Sequence, residues 1–271
     1  MIMKNMPLSI KNVTHWDKSC LKQSEQDIIV ERPLVVQING QPYAVIMRTP
    51  GDEEAHIVGF CLVEGLIDHR DDFKSISIIT NEVSEIAEVT IQPHRDTIVQ
   101  GILAQKEYIH QTSSAIIPKK MVHHPHLKSN LSNHQIEIQS VIDCINHLSH
   151  NQPIRQKTFA SHAVAIYSQH VQLLSVKEDA GRHNAFDKAI GQIVLNGVLK
   201  DACFCILSSR VSYDLMIKAS RSGIAHVFSI SRPTSLAIEM AAKLNITLAC
   251  LSKDGGLFVY SGQNHLTIHS N

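Results

Sequence analysis

"ACFCILSSRVSYDLMIKASRSGIAHVFSISRPTSLAIEMAAKLNITLACLS", residues 202–252, decides the fold class. Three short apolar runs in it, "CFCIL", "HVFSI" and "TLACLS", read as strands. Between them "SYDLMIKASRSG" and "TSLAIEMAAKL" place apolar residues at helical spacing, and the first ends on a glycine stop. Strands that are apolar along their length and alternate with helices predict right-handed crossovers on a largely parallel sheet, covered on both faces. Cys203 and Cys205, two apart in such a strand, are expected to point to one face as buried thiols.

Upstream, "AVAIY" and "VQLLSV" read as two more strands, and Ala185, Ala189, Ile193 and Val194 mark a helix stopped by Gly197. The stretch "VKEDAGRHNAFDKAIG" (176–191) crowds acids, Gly181, Arg182, His183 and Asn184 at that helix's entrance. A helix N-terminus offers unpaired N–H groups and partial positive charge, so the entrance is either an anion grip or a plain capped helix. Ile138, Val141, Ile142, Ile145 and Leu148 mark an earlier helix, and "LFVY" a last strand.

The beginning of the chain is of another kind. Residues 1–25 show no period and are expected to form a loosely held arm. From Ile28 the pattern turns to strands, with "LVVQI" and "YAVIM" flanking Asn39-Gly40, a pair that tolerates the positive φ of a tight hairpin. "RTPGDEEAHIVGFCLVEGLI" follows: Pro50-Gly51 predicts a turn, Asp52 a cap, Ile57, Val58, Cys61 and Leu62 a buried helical stripe, and Gly65 its stop. "SISII" and "IAEVTIQ" add strands. Period is then lost over 110–135, a long polar stretch of the kind usually functional or disordered. The expected organisation is α/β (α+β overall): an arm (1–25), a β-rich N-terminal domain (26–112), a polar connecting loop (113–135) and an α/β domain (136–271).

Charge bounds the partners. Of 271 residues, 25 are basic and 25 acidic, so no global field favours nucleic acid or an anionic membrane. The first residues lack a signal-peptide pattern and no apolar run is long enough to span a bilayer, so a cytoplasmic location is expected. Six cysteines lie scattered with no CxxC among them, as for reduced thiols. "HHPH" (His123, His124, His126) has no second ligand pair nearby and reads as a solvated loop, so no metal site is expected.

In open α/β sheets ligands bind beyond the carboxyl ends of the strands. Each such end carries polar residues: "KEDAGRHN" after "VQLLSV", Ser208-Ser209-Arg210 after "CFCIL", "SRPTS" (231–235) after "HVFSI", and "KDGG" (253–256) after "TLACL". Hydroxyls with Arg182, Arg210, Arg221 and Arg232 at or near these corners suit a phosphate-bearing ligand. No GxxxxGK[ST], strand-borne GxGxxG or GxSxG is present, so ordinary NTPase, dinucleotide dehydrogenase and serine hydrolase readings fail.

Several segments together resemble the formate dehydrogenase accessory proteins, the FdhD family. They are "ERPLVVQINGQPYAVIMRTPGDEEAHIVGFCLVEGLI" (31–67), "KEDAGRHNAFDKAIG" (177–191), "SSRVSYDLMIKASRSGI" (208–224) and "SRPTSLAIEMAAKLNITLACLSKDGGLFVY" (231–260). The resemblance implies a homodimer whose C-terminal part is a cytidine-deaminase-like three-layer α/β/α unit. It further implies a sulfur carrier that takes sulfur from a cysteine desulfurase and delivers it to formate dehydrogenase's molybdenum cofactor, Mo-bis(molybdopterin guanine dinucleotide), held as cargo. By the same resemblance Leu251, Ser252, Lys253, Asp254, Gly255 and Gly256 help bind the nucleotide. Asp179, Gly181, Arg182, His183, Asn184 and Asp187 form or brace the neighbouring wall, beside Ser209 and Arg210. Zinc deamination is excluded, because Val164 stands where a glutamate would follow His162 and no CxxC exists.

One departure bears on activity. Family members carry a CxxC after Thr-Ser-Ser, whereas "HQTSSAIIPKK" aligns Ala115 and Pro118 with the two cysteines. Neither residue can accept a persulfide. Cys250, just before the nucleotide loop, is the alternative thiol. Otherwise the protein is a cofactor escort or a degenerate homologue without sulfur transfer, and a protein-only partner that binds no small molecule is the reading from a different class.

Overall fold

A computed structural model describes residues 6–82, 84–104 and 135–268. The expected connecting loop, with Ala115, Pro118 and "HHPH", lies outside them. The chain opens with β1 (Leu8–Trp16) and β2 (Leu21–Ile29), paired antiparallel from Leu8↔Ile29 to Trp16↔Leu21. The expected arm is therefore a hairpin, and it crosses the boundary placed at residue 25. Its sequence hides it because polar residues face solvent on both sides, leaving no alternation; a local turn sets the pairing, with Lys18 at φ 58° and the Ser19 hydroxyl donating to Asp17.

A four-stranded sheet follows, ordered β4-β3-β6-β5. Its strands are β3 (Arg32–Ile38) and β4 (Gln41–Arg48), then, after helix α1 (Glu53–Glu64), β5 (Phe73–Thr80) and β6 (Glu85–Ile91); α2 (Asp96–Ala104) closes this part. Asn39 and Gly40 take φ 49° and 76° in the β3–β4 hairpin, as their types predict. Gly65 ends α1 at φ 79°. Asp52 precedes α1 but does not cap it, since its left-handed backbone (φ 59°) turns the carboxylate away from the first amides and toward Lys177, 2.6 Å distant.

The second part begins with β7 (Ile136–Glu137), α3 (Ile138–His147) and α4 (Pro153–Thr158), the last packed against β2. Then come β8 (His162–Ser168), β9 (Leu173–Asp179), α5 (Arg182–Leu195), β10 (Ala202–Leu207) and α6 (Tyr213–Arg221). β11 (His226–Ser229), α7 (Ser235–Lys243), β12 (Thr247–Leu251) and β13 (Leu257–Ser261) follow, and β14 (Leu266–Thr267) pairs with β7. The six-stranded sheet runs β13-β12-β11-β10-β8-β9. It is mixed rather than largely parallel: β10, β11 and β12 are parallel neighbours, while β8–β9, β8–β10 and β12–β13 are antiparallel. The short links 169–172 and 252–256 allow only antiparallel return, whereas a parallel return needs a crossover such as α6 or α7.

Each face of this sheet is covered. Val164, Ile166, Cys205, Leu207, Val227 and Leu248 pack with α1, α5, α6 and α7 in a core that continues into the four-stranded sheet. Ala163, Ala165, Tyr167, Phe204, Ile206 and Phe228 pack against α3 in a second cluster. Cys203 joins the second cluster and Cys205 the first, so they do not share a face. A register shift between Ala202 and Phe204 against β8 breaks the alternation there.

The two parts meet where α1 crosses α5. A Cβ added at Gly59 would lie 1.8 Å from the Asp187 carbonyl oxygen, and one at Gly191 1.7 Å from that of Ala55. The helix backbones touch, which only glycine at both positions permits. No helix of the described residues is long and apolar enough to cross a membrane.

Candidate site at the strand ends

Register places the expected corners at one end of the six-stranded sheet. His162 pairs with Asp179, Val164 with Leu207, Leu207 with Ser229, and Ser229 with Cys250. The carboxyl ends of β9, β10, β11 and β12 thus form one row, which spans four strand spacings, about 19 Å. A ligand that touches the whole row is extended, not a single ion.

The "EDAGRHNAFDK" segment divides in two across this end. One half turns inward and clasps the "RTPGD" loop. Asp179, fully buried, accepts from Thr49 N at 3.0 Å, Gly181 N at 2.8 Å and Asn184 Nδ2 at 3.0 Å, and pairs with Lys188 at 2.8 Å. Asn184 also donates to Met47 O, Lys188 to Thr49 O, and Ala180 N to the Thr49 hydroxyl. Asp187 binds Lys218 through both carboxylate oxygens, at 2.6 and 2.8 Å. Arg48 completes this interior by pairing with Glu85 and, at 3.1 Å, Glu53. These hydrogen bonds and ion pairs brace the seam between the two parts.

His56 sits in the same interior, with no exposure and neither ring nitrogen hydrogen-bonded. Burial, then the charges of Lys188, Arg48 and Lys218, hold its pKa well below the ordinary histidine value, so the ring is neutral. Burial pushes Asp187 up to about 6 against the pull of Lys218.

In the other half Arg182 is part-exposed and His183 buried. Arg182 opens α5 with its Nε buried and without a partner, and His183 Nε2 lies 3.9 Å from Asp214. Ala163 N donates to the Ser208 hydroxyl at 2.8 Å and Ser208 N to Ala163 O at 3.0 Å, which pins the Ser208-Ser209-Arg210 corner beside His162. Buried Ser209 turns its hydroxyl to Arg210 O. Arg155 donates to Ser161 O at 3.2 Å, directly before His162. Burial, then the charges of Arg182, Arg155 and Arg210, lower the pKa of His162. Sequence reasoning missed Arg155, because nothing in "PIRQKT" marks it and only tertiary packing brings it to this corner.

At the far end of the row, 251–256 is a tight turn. Ser252 N donates to Gly256 O at 2.8 Å, the Ser252 hydroxyl binds Asp254, Gly255 takes φ 86°, and Lys253 and Asp254 are exposed. Arg232 lies 4.0 Å over the Phe258 ring and donates to the Tyr260 hydroxyl at 3.1 Å. Cys250 beneath is fully buried, its sulfur 3.7 Å from that hydroxyl. Of the six cysteines only Cys20, in the β1–β2 turn, is exposed. Among the described residues no group of three or more His, Cys, Asp or Glu is arranged to hold a metal ion.

Fold and site define a mixed α/β protein in which a β-rich part is clamped to a three-layer unit with a cationic sheet end. Residues 29–267 match the model of the FdhD/NarQ family, and the chain belongs to that family. It is 31% identical over 249 residues to the sulfur carrier protein FdhD of Xanthomonas euvesicatoria pv. vesicatoria (strain 85-10), covering 90% of this chain and 87% of that one. It is likewise 31% identical over 256 residues to that of Acinetobacter baylyi, covering 89% of each. A crystal structure of a formate dehydrogenase accessory protein from Desulfotalea psychrophila superposes with a TM-score of 0.75 over 97% of this chain and all of the other, at 19% identity, and so shares the fold.

Proposed function

We propose that this chain is a formate dehydrogenase accessory protein of the cytoplasm that binds the guanine dinucleotide form of the molybdenum cofactor as cargo and handles sulfur poorly or not at all. The observation that carries the reading is the single row of strand ends, cationic at β8–β10 and closed by the 251–256 turn, where among the described residues Arg155, Arg182 and Arg210 have no carboxylate partner. Arg182, Arg210, Ser252, Lys253 and Asp254 would meet the cargo's nucleotide arms, while Asp179, Asn184 and Asp187 hold the wall rigid. Guanine offers N–H donors to a carboxylate such as Asp254 and a flat face to the Arg232–Phe258 stack.

Sulfur carriage needs an accessible thiolate. The sequence lacks the CxxC, and Cys250 is sealed beneath Tyr260 and Arg232, so a persulfide has no ready acceptor in the cargo row. A cysteine desulfurase and a second copy of the chain are the partners that this reading retains from the family.

Native mass spectrometry with GDP tests cargo binding: a stoichiometric complex supports it, and its absence at high nucleotide favours a protein-only role. Intact-mass analysis after incubation with desulfurase and cysteine tests the second half. A stable gain of one sulfur mapped to Cys250 would overturn impaired transfer; sulfur on Cys20 alone, lost in Cys20→Ser without effect on cargo, would leave the reading standing.

A further inference from the structure

We propose that β1 is an open sheet edge that pairs antiparallel with β1 of a second copy of this chain, about a two-fold axis at Asn12. This rests on the second copy that the proposed function retains, and goes beyond it by assigning the surface where the copies meet. A two-stranded ribbon is marginally stable alone in water, and long regular edges are normally blunted by proline or a bulge. β1 has neither: its nine pairs with β2 run without a register shift. No residue of either strand is buried, and among the described residues β1 has β2 as its one sheet neighbour. Trp16 and Leu21 stand opposite each other at 71% and 72% exposure, and Ile10, on the same face, at 65%.

The ladder's phase shows which backbone groups are left over. Val30 N donates to Pro7 O at 2.9 Å and Asp17 N to Cys20 O at 3.2 Å, one bond at each end of the ribbon. Hydrogen-bonded and non-hydrogen-bonded pairs alternate between them, so Leu8, Ile10, Asn12, Thr14 and Trp16 turn N–H and C=O away from β2. A two-fold at Asn12 joins these same groups: Asn12 meets the partner's Asn12, Ile10 the partner's Thr14, and Leu8 the partner's Trp16. On the other face Ser9 meets the partner's His15 and Lys11 the partner's Val13, so no like charges oppose. Because Trp16 already pairs with Leu21 and Leu8 with Ile29, one apolar row then crosses four strands: Leu21, Trp16, the partner's Leu8 and the partner's Ile29. The outer edge of β2 fits worse. The same operation there sets Glu25 against the partner's Glu25, and α4 already packs against that strand.

Analytical ultracentrifugation of the full chain tests the edge. Asn12→Pro removes an N–H that the β1–β2 ladder does not use and places a ring on the axis. It is expected to raise the dimer's dissociation constant by about tenfold or more, with circular dichroism and thermal midpoint unchanged. Asn12→Asp and Asn12→Lys each put like charges at the axis and should weaken self-association by about fivefold at low salt; mixing the two variants restores it as a heterodimer. A fold defect would not be repaired by mixing. If the wild type is a dimer whose constant stays within about twofold in Asn12→Pro, and mixing brings no gain, the β1 edge is refuted while the second-copy reading stands. A wild type that stays monomeric at every concentration refutes both.

Discussion

The α1–α5 seam and the strand-end row are built from the same short segment, yet they treat charge in opposite ways. In the seam Arg48, Lys188 and Lys218 are buried and each has a carboxylate within ion-pair distance. At the row, Arg155 and Arg210 are exposed and Arg182 half-exposed, and none has a carboxylate partner among the described residues. Inside, an unmatched charge would cost several kcal/mol, so the fold matches every one. In water an unmatched guanidinium costs little, which leaves it available for a ligand. Prominence in the sequence motif does not separate the two roles; direction does.

The comparison breaks most visibly in the seam. Asp179→Ala strands Lys188 and orphans the Thr49 and Gly181 amides, and is expected to lose about 3–5 kcal/mol in urea unfolding. Gly59→Ala drives a methyl into the Asp187 carbonyl and should cost about 3 kcal/mol, with the Gly191→Ala variant alike. Smaller losses than these would mean that the helices separate without consequence.

His56 sharpens the same contrast through pH. Its folded pKa lies below its unfolded value of 6.5, so below pH 6.5 the unfolded chain binds a proton that the folded chain refuses. Stability should fall with pH there by up to about 1.4 kcal/mol per unit. Asp187, up at about 6, acts the other way: it adds stability as pH falls from about 6 toward 3.8. Subtracting His56→Leu from the wild type isolates the histidine limb. At pH 7.5 that variant should be near neutral, because the ring nitrogens give up no hydrogen bond. The smallest effect is expected at the row: Arg210→Ala should change stability by no more than about 0.5 kcal/mol in the same urea assay.

Most of the second part was readable because its apolar residues keep time. "CFCIL", "HVFSI" and "TLACLS" became β10, β11 and β12, and the glycines at 65 and 197 ended helices where expected. The β1–β2 hairpin was not readable, since both its faces are largely polar. The divergence of Cys203 and Cys205 was not either, because the bulge belongs to the pairing with β8 and not to β10 alone. The missed Arg155 reaches the site only through its bond to Ser161 and the clamp of Glu178 across from α4.

The sequence by itself determined most of the elements after residue 28, the family and the absence of the usual sulfur-accepting pair, because periodicity, turn chemistry and missing thiols are local properties of the chain. Tertiary structure alone decided which charges are scaffold and which are free. Asp187 finds Lys218, and Thr49 finds Asp179 across 130 positions, and only when those long-range partners are taken does it become visible which guanidiniums remain. A charge's role depends on who neutralises it, and that is settled by proximity in space.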